Sequence, residues 1–248
     1  EVDILIKGFD QCSKLMLKIT DFVMAFSPVG IAALMAKLVN SISGATVKDV
    51  ITFIIMDYVA AIVVLVVMYP LLLKLLSGLS PLTFFKKITE PMLVAITTTS
   101  SAATLPVSLK TAGTKLGIPE NVYGFTLPLG NTCGMNGFAI FIGLCCIFCS
   151  NVYGVEITFS KLVLYVFLGI ILSVGAAGVK GAGIVMSTVL LEAIGMPLTV
   201  IPIFAAIWPA IDPPHTLLNN VSDIVGTSII AKRLGLIDEN VYNSEIVD

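Results

Sequence analysis

The chain has 248 residues, 57% of them hydrophobic and 12% charged, with a mean hydropathy of +1.02 and a formal net charge of −2. An ordinary soluble domain carries roughly 25% charged residues, and half that share cannot cover a body of this size. A soluble enzyme, a nucleic-acid binder and a disordered regulator are excluded, and no basic field exists to hold a polyanion; the sequence reads as an integral membrane protein.

The sequence opens on Glu1 rather than methionine, so further residues are expected upstream. A spanning helix needs about 20 mostly apolar residues. Residues 22–39 meet that, with Pro28 and Gly30 as a kink site, and residues 50–73 meet it despite Asp57. Residues 125–152 are apolar but interrupted by glycines, and residues 162–179 are almost purely apolar. Residues 198–211 run into Asp212, a break is expected across Pro209–Pro214, and an amphipathic helix follows over 211–233.

Two shorter stretches have a different form. Residues 92–96 lead into TTTSSAATLP (97–106), and 107–115 lead away; residues 162–174 lead into GAAGVKGAG (175–183), and 184–194 leave. Each predicts helix, irregular tip, helix. Irregular backbone survives at membrane depth only inside protein or beside water, and two such segments in corresponding halves point to a transporter site. As re-entrant hairpins they place ten of the fourteen Lys and Arg on one side, read as cytoplasmic together with the C-terminus. The expected organisation is a helical segment over 1–43 serving as scaffold, then a core over 44–248. That core comprises a helix (44–80), first hairpin (81–117), broken helix (118–152), second hairpin (153–196), last helix (197–235) and tail (236–248).

On the last helix, Asp212, His215, Thr216, Asn219 and Asp223 fall within a sector about 100° wide at 100° per residue. Two acids on one stripe of a membrane helix need partners or water and are functional by default. The five cysteines, Cys12, Cys133, Cys145, Cys146 and Cys149, lack metal-ligand spacing and are expected as buried free thiols.

The ordered motifs TTTSSAATLPVSLKTAGTKLG, FTLPLGNTCGMNGFA, GAAGVKGAG and TLLNNVSDIVGTSIIAK, with SPVGIAALMA and SPLTFFKK before them, resemble the sodium:dicarboxylate/amino-acid symporter family from Gly8 to Lys232. The resemblance implies an all-α inverted-repeat core with two re-entrant hairpins, moved as one body in an elevator-type mechanism. It also implies a homotrimer in the cell membrane and further N-terminal helices. Substrate would be held by Ser100 and Ser101 at the first tip, Phe138 on the broken helix, Gly178 on the second tip, and Asp212, His215, Thr216 and Asn219. Backbone N–H groups at a hairpin tip favour a carboxylate, and Ser101 adds a hydroxyl donor.

In the family, the acid matching Asp212 takes the substrate's amino group and Asn219 its α-carboxylate. The next position is an arginine in transporters of acidic amino acids, where a bidentate fork grips the side chain. His215 stands there, so a small neutral or polar amino acid is expected. One sodium site of the family corresponds to Asp223 with carbonyls of Gly130, Gly134 and Asn219, and a second to carbonyls of Thr132, Ser173, Val174 and Ala176. A third depends on an acid that is Asn136 here, which leaves sodium stoichiometry open and H+ as the alternative coupling ion. Lys180 replaces a proline at the outer gate. Readings kept beside this one are an acidic amino acid or dicarboxylate symporter, a transport-dead ligand sensor and an intramembrane hydrolase built on Ser100 or Ser101 with His215. No organic cofactor is expected; the partners implied are the amino acid, lipid and like subunits.

Overall fold

A computed structural model describes residues 2–26, 29–30, 32–33, 44–176 and 182–244. The described residues form an all-α protein, with no strand among them. Helix α1 covers Val2–Ala25; most of the span expected over 22–39 lies outside the described residues. Helix α2 (Gly44–Val63) passes through one π turn (Val64–Met68) into α3 (Tyr69–Ser77). Val47–Ser77 is thus one 31-residue rod whose most apolar 18-residue window has a mean hydropathy of 2.8. At 1.5 Å per residue it measures about 46 Å, more than the roughly 30 Å of hydrocarbon it would cross. Only 17% of its most apolar window is buried. The exposed side chains, including Ile55, Ile62 and Val66, suit lipid better than water.

Ser80 caps α4 (Pro81–Lys87), accepting from the Thr83 N–H, and Pro81 begins the helix where its missing N–H costs nothing. Then comes a tight helical hairpin, α5 (Thr89–Thr98) and α6 (Ser101–Thr114), packed against each other. Its tip is Thr99 and Ser100, far shorter than the ten-residue stretch expected. The Thr97 and Thr98 hydroxyls bond back to the Leu93 and Val94 carbonyls, so these polar residues extend the helix instead of ending it. Thr99 reverses the chain with φ of 48°, a left-handed conformation, and Ser100 caps α6 by accepting from the Ala103 N–H at 3.3 Å.

Helices α7 (Glu120–Cys133) and α8 (Asn136–Val152) form the second long apolar rod, broken at Gly134 and Met135. Helix α9 (Phe159–Gly175) has 17 residues, fewer than the span expected over 162–179, and α10 (Ala182–Ala193) follows it. After a 3₁₀ turn (Leu198–Val200), α11 runs unbroken for 33 residues, Ile201–Arg233. The break expected across Pro209–Pro214 is absent. A proline at 214 leaves the Ala210 carbonyl without its helical donor, and the Tyr58 hydroxyl of α2 supplies one at 2.6 Å.

Past α11, Asp238 caps a short helix α12 (Glu239–Asn243) that is clasped to the base of the hairpin. The Asp238 N–H donates to Gly117 O at 2.8 Å, Tyr242 Oη to Ser80 O at 2.9 Å, and Lys87 Nζ to Val241 O at 2.5 Å. Gly117 has φ of 65° and no room for a Cβ beside Asp238. Two apolar clusters organise the interior. The first joins Phe53 of α2, Phe138 and Phe141 of α8, and Phe204 and Trp208 of α11. The second joins Leu73, Phe84, Leu116 and Leu127 to Leu218, Val221 and Tyr242. The polar residues of α11 fall where one cluster gives way to the other. Cys145, Cys146 and Cys149 are buried free thiols; Cys12 and Cys133 are exposed, contrary to expectation, Cys133 lining the cavity that Asp223 also lines.

Candidate functional site

The site is assembled where the α5–α6 tip, the α7–α8 break and the middle of α11 meet. At the break the helical ladder stops, and Gly134 and Met135 adopt ψ of 53° and 57°. The Asp223 carboxylate lies directly against this backbone: a Cβ on either Gly130 or Gly134 would collide with it. Glycine is required at both positions because the acid occupies the space of a side chain. Gly130, Gly134, Asn136, Ser222 and Asp223 line one cavity of about 400 Å³. The Tyr69 hydroxyl donates to Leu218 O at 3.1 Å beside Asn136 and Ser222. One carboxylate facing a helix break is the donor set that suits a hard cation held mainly by carbonyl oxygens. Among the described residues no three His, Cys, Asp or Glu side chains gather as a transition-metal site.

Asn219 is buried one turn before Asp223. Its Oδ1 accepts from the Gly137 N–H at 2.8 Å, and its Nδ2 donates to Met135 Sδ at 3.3 Å. It therefore clamps the α8 N-terminus to α11. Ser101, also buried, accepts from Asn220 Nδ2 at 3.2 Å, and the same amide donates to Thr216 O at 2.8 Å. Thr216 Oγ1 faces Asp212 Oδ1 at 3.4 Å. Ser101, Thr216, Asn219 and Asp223 are thus drawn into one neighbourhood, while Ser100 acts as a helix cap at its edge.

His215 stands at one edge of the stripe and is paired with α2. Its Nε2 lies 2.8 Å from Asp57 Oδ1, and the two side chains are 3% and 0% exposed. Phe141 and Trp208 flank the imidazole, with ring centroids 5.8 and 6.2 Å away. Phe138 stacks on Phe141 at 5.7 Å within the same aromatic group. Gly183, at the start of α10, sits on the Trp208 indole so closely that a Cβ would overlap the ring.

Ser173 and Ala176 are buried and Val174 exposed at the end of α9, which packs against α7, the helix carrying Thr132. The Thr132 hydroxyl donates to Pro128 O at 3.0 Å. Gly178 and Lys180 lie outside the described residues. Sequence reasoning missed two partners. Asn220 was hidden because it sits 100° from Asn219, off the stripe. Asp57 was visible as an acid inside a span, a signal that calls for a partner, but the pairing with His215 spans 158 positions.

Comparison with known proteins identifies the family. The family model described as "Sodium:dicarboxylate symporter family" matches residues 1–233. The chain belongs to that family. Its members are membrane transporters, not enzymes. An L-cystine uptake protein of Bacillus thuringiensis (strain Al Hakam) is 28% identical over 247 residues, 99% of this chain and 53% of that protein. A putative sodium-dependent excitatory amino acid transporter of Caenorhabditis elegans is 31% identical over 231 residues, 91% of this chain and 45% of that protein. An uncharacterised symporter of Haemophilus influenzae is 31% identical over 224 residues, 89% and 50% of the two chains. The chain spans about half the length of the curated relatives it matches.

Proposed function

We propose that this chain is the substrate- and ion-binding part of a secondary active symporter that imports a neutral or polar amino acid with sodium. The observation that carries the reading is the Asp223 carboxylate seated on Gly130 and Gly134, on the same face of α11 as Asp212 and on the helix whose Asn220 holds Ser101. Sodium, as cargo, is held by Asp223 and carbonyls of Gly130, Gly134 and Asn219, with Thr132, Ser173, Val174 and Ala176 forming a second site and Asn136 bordering the first. The substrate ammonium goes to Asp212, its carboxylate to the α6 N-terminus and Asn219, and its side chain towards His215 and Phe138. Gly178 completes the substrate site and Lys180 belongs to the outer gate. No arginine fork stands at the side-chain position, and any charge on His215 is answered by Asp57; both favour an uncharged substrate side chain. One relative is named for uptake of cystine, a zwitterion, and another for sodium dependence. The hairpins and α11 move together across the membrane in an elevator-type step within a homotrimer, the C-terminus facing the cytoplasm.

The test is uptake of labelled L-serine, L-cystine and L-aspartate by the intact transporter in proteoliposomes, under inward sodium, inward proton or no gradient. Accumulation of a neutral amino acid with sodium alone supports the reading. Accumulation driven only by protons moves the coupling ion, and no accumulation under any gradient overturns transport. Asp212→Ala is expected to abolish substrate-dependent thermal stabilisation.

A further inference from the structure

We infer that Asp57 is a positioning residue that sets the charge of the side-chain subsite: by pairing with His215 it denies that subsite a net positive charge and so selects against acidic amino acids. The inference rests on the reading that the substrate side chain approaches His215. Asp57 Oδ1 and His215 Nε2 are 2.8 Å apart and almost wholly buried. The surroundings, Phe53, Phe141, Phe204 and Trp208, are apolar, and the other ionisable groups nearby are the buried thiol of Cys145, within electrostatic reach of Asp57, and Asp212 one turn earlier. No described cation lies among them. Asp57 Oδ2 and His215 Nδ1 are buried with no hydrogen-bond partner among the described residues.

The charge argument holds for either state of the imidazole. If it is neutral, the pair carries one negative charge; if it is protonated, the pair carries none. In a low-dielectric interior neither state attracts a carboxylate, and the unmet Oδ2 acceptor repels one. At a fixed proton count on the imidazole, removing the Asp57 charge raises the total by one unit. The same logic limits what an arginine at position 215 can do, because Asp57 would neutralise it in turn.

The experiment compares initial uptake rates of L-aspartate and L-serine by the intact transporter. Asp57→Asn keeps the size and a hydrogen-bond acceptor for Nε2–H, and should raise the aspartate-to-serine ratio on the order of ten-fold. Asp57→Glu should return the wild-type ratio. His215→Arg alone should change it by less than about three-fold, whereas Asp57→Asn with His215→Arg should exceed the product of the single changes. An unchanged ratio in a folded Asp57→Asn transporter overturns the inference. Should that variant not fold, a shift on the order of ten-fold from His215→Arg alone overturns it equally, since Asp57 is then no brake. Failure of every variant and the wild type to accumulate either amino acid overturns the transport reading itself, a distinct result.

Discussion

Gly130→Ala separates the cation role of Asp223 from the stability of α7. In a helix interior alanine is favoured over glycine by about 1 kcal/mol. Here the new Cβ would fall 2.5 Å from Asp223 Oδ1, 2.6 Å from its Cγ and 3.0 Å from its Cβ. Ordinary contact begins at 3.4 Å, so the carboxylate must retreat by roughly 0.9 Å. Overpacking of this kind costs about 1–3 kcal/mol, which leaves a net loss of about 0–2 kcal/mol and a folded protein. The displaced acid no longer faces the Gly130 and Gly134 backbone, and sodium affinity should fall on the order of ten-fold, or about 1.4 kcal/mol. The assay is thermal unfolding of the intact transporter against a sodium titration at fixed amino acid. Gly124→Ala is the control, because its Cβ would meet only Glu120 Cγ at 3.8 Å; it should gain stability with sodium dependence intact. An unaltered half-saturating sodium concentration in Gly130→Ala would refute the assignment of a cation to Asp223.

Two further outcomes follow from contacts outside the ion site. Tyr58→Phe removes the hydroxyl that serves the Ala210 carbonyl. It should lower stability by about 0.5–1.5 kcal/mol, and Pro214→Ala, which restores the helical N–H, should recover most of it; no recovery would refute the account of the unbroken helix. At the clasp, burial pushes the Tyr242 phenol above its ordinary value of 10.0. The unfolded phenol ionises first, so its contribution is complete below about pH 10 and is lost as pH rises towards the higher folded value. Thermal unfolding should thus show an alkaline loss that Tyr242→Phe removes, along with about 1 kcal/mol for the lost bond to Ser80.

The all-α character was legible in composition and in runs of apolar residues, since a chain so poor in charge has few other solutions. The α7–α8 break was legible too, because Gly130, Gly134 and Gly137 interrupt an apolar run. Proline misled the reading of α11. Its local rule predicts a break, and the donor that prevents one comes from Tyr58, 152 positions away. The first tip was overextended for a related reason: a run of threonines and serines reads as loop, yet their hydroxyls can bond to the preceding turn and keep the helix. His215 drew attention as a member of a stripe, but its partner lies on another helix. Periodicity along one helix cannot disclose a neighbour across the bundle.

The contact between Gly183 and Trp208 carries a practical consequence. These 248 residues contain one tryptophan. It is wedged between the first turn of α10, the Phe138–Phe141 pair and the His215 ring. An indole so enclosed emits according to what touches it. Any departure of α10 would trade a glycine backbone for water or lipid on one face of the ring, and the emission maximum would move with it. The chain therefore holds a native optical probe at the foot of its second helix pair, readable in stopped flow without a single engineered label.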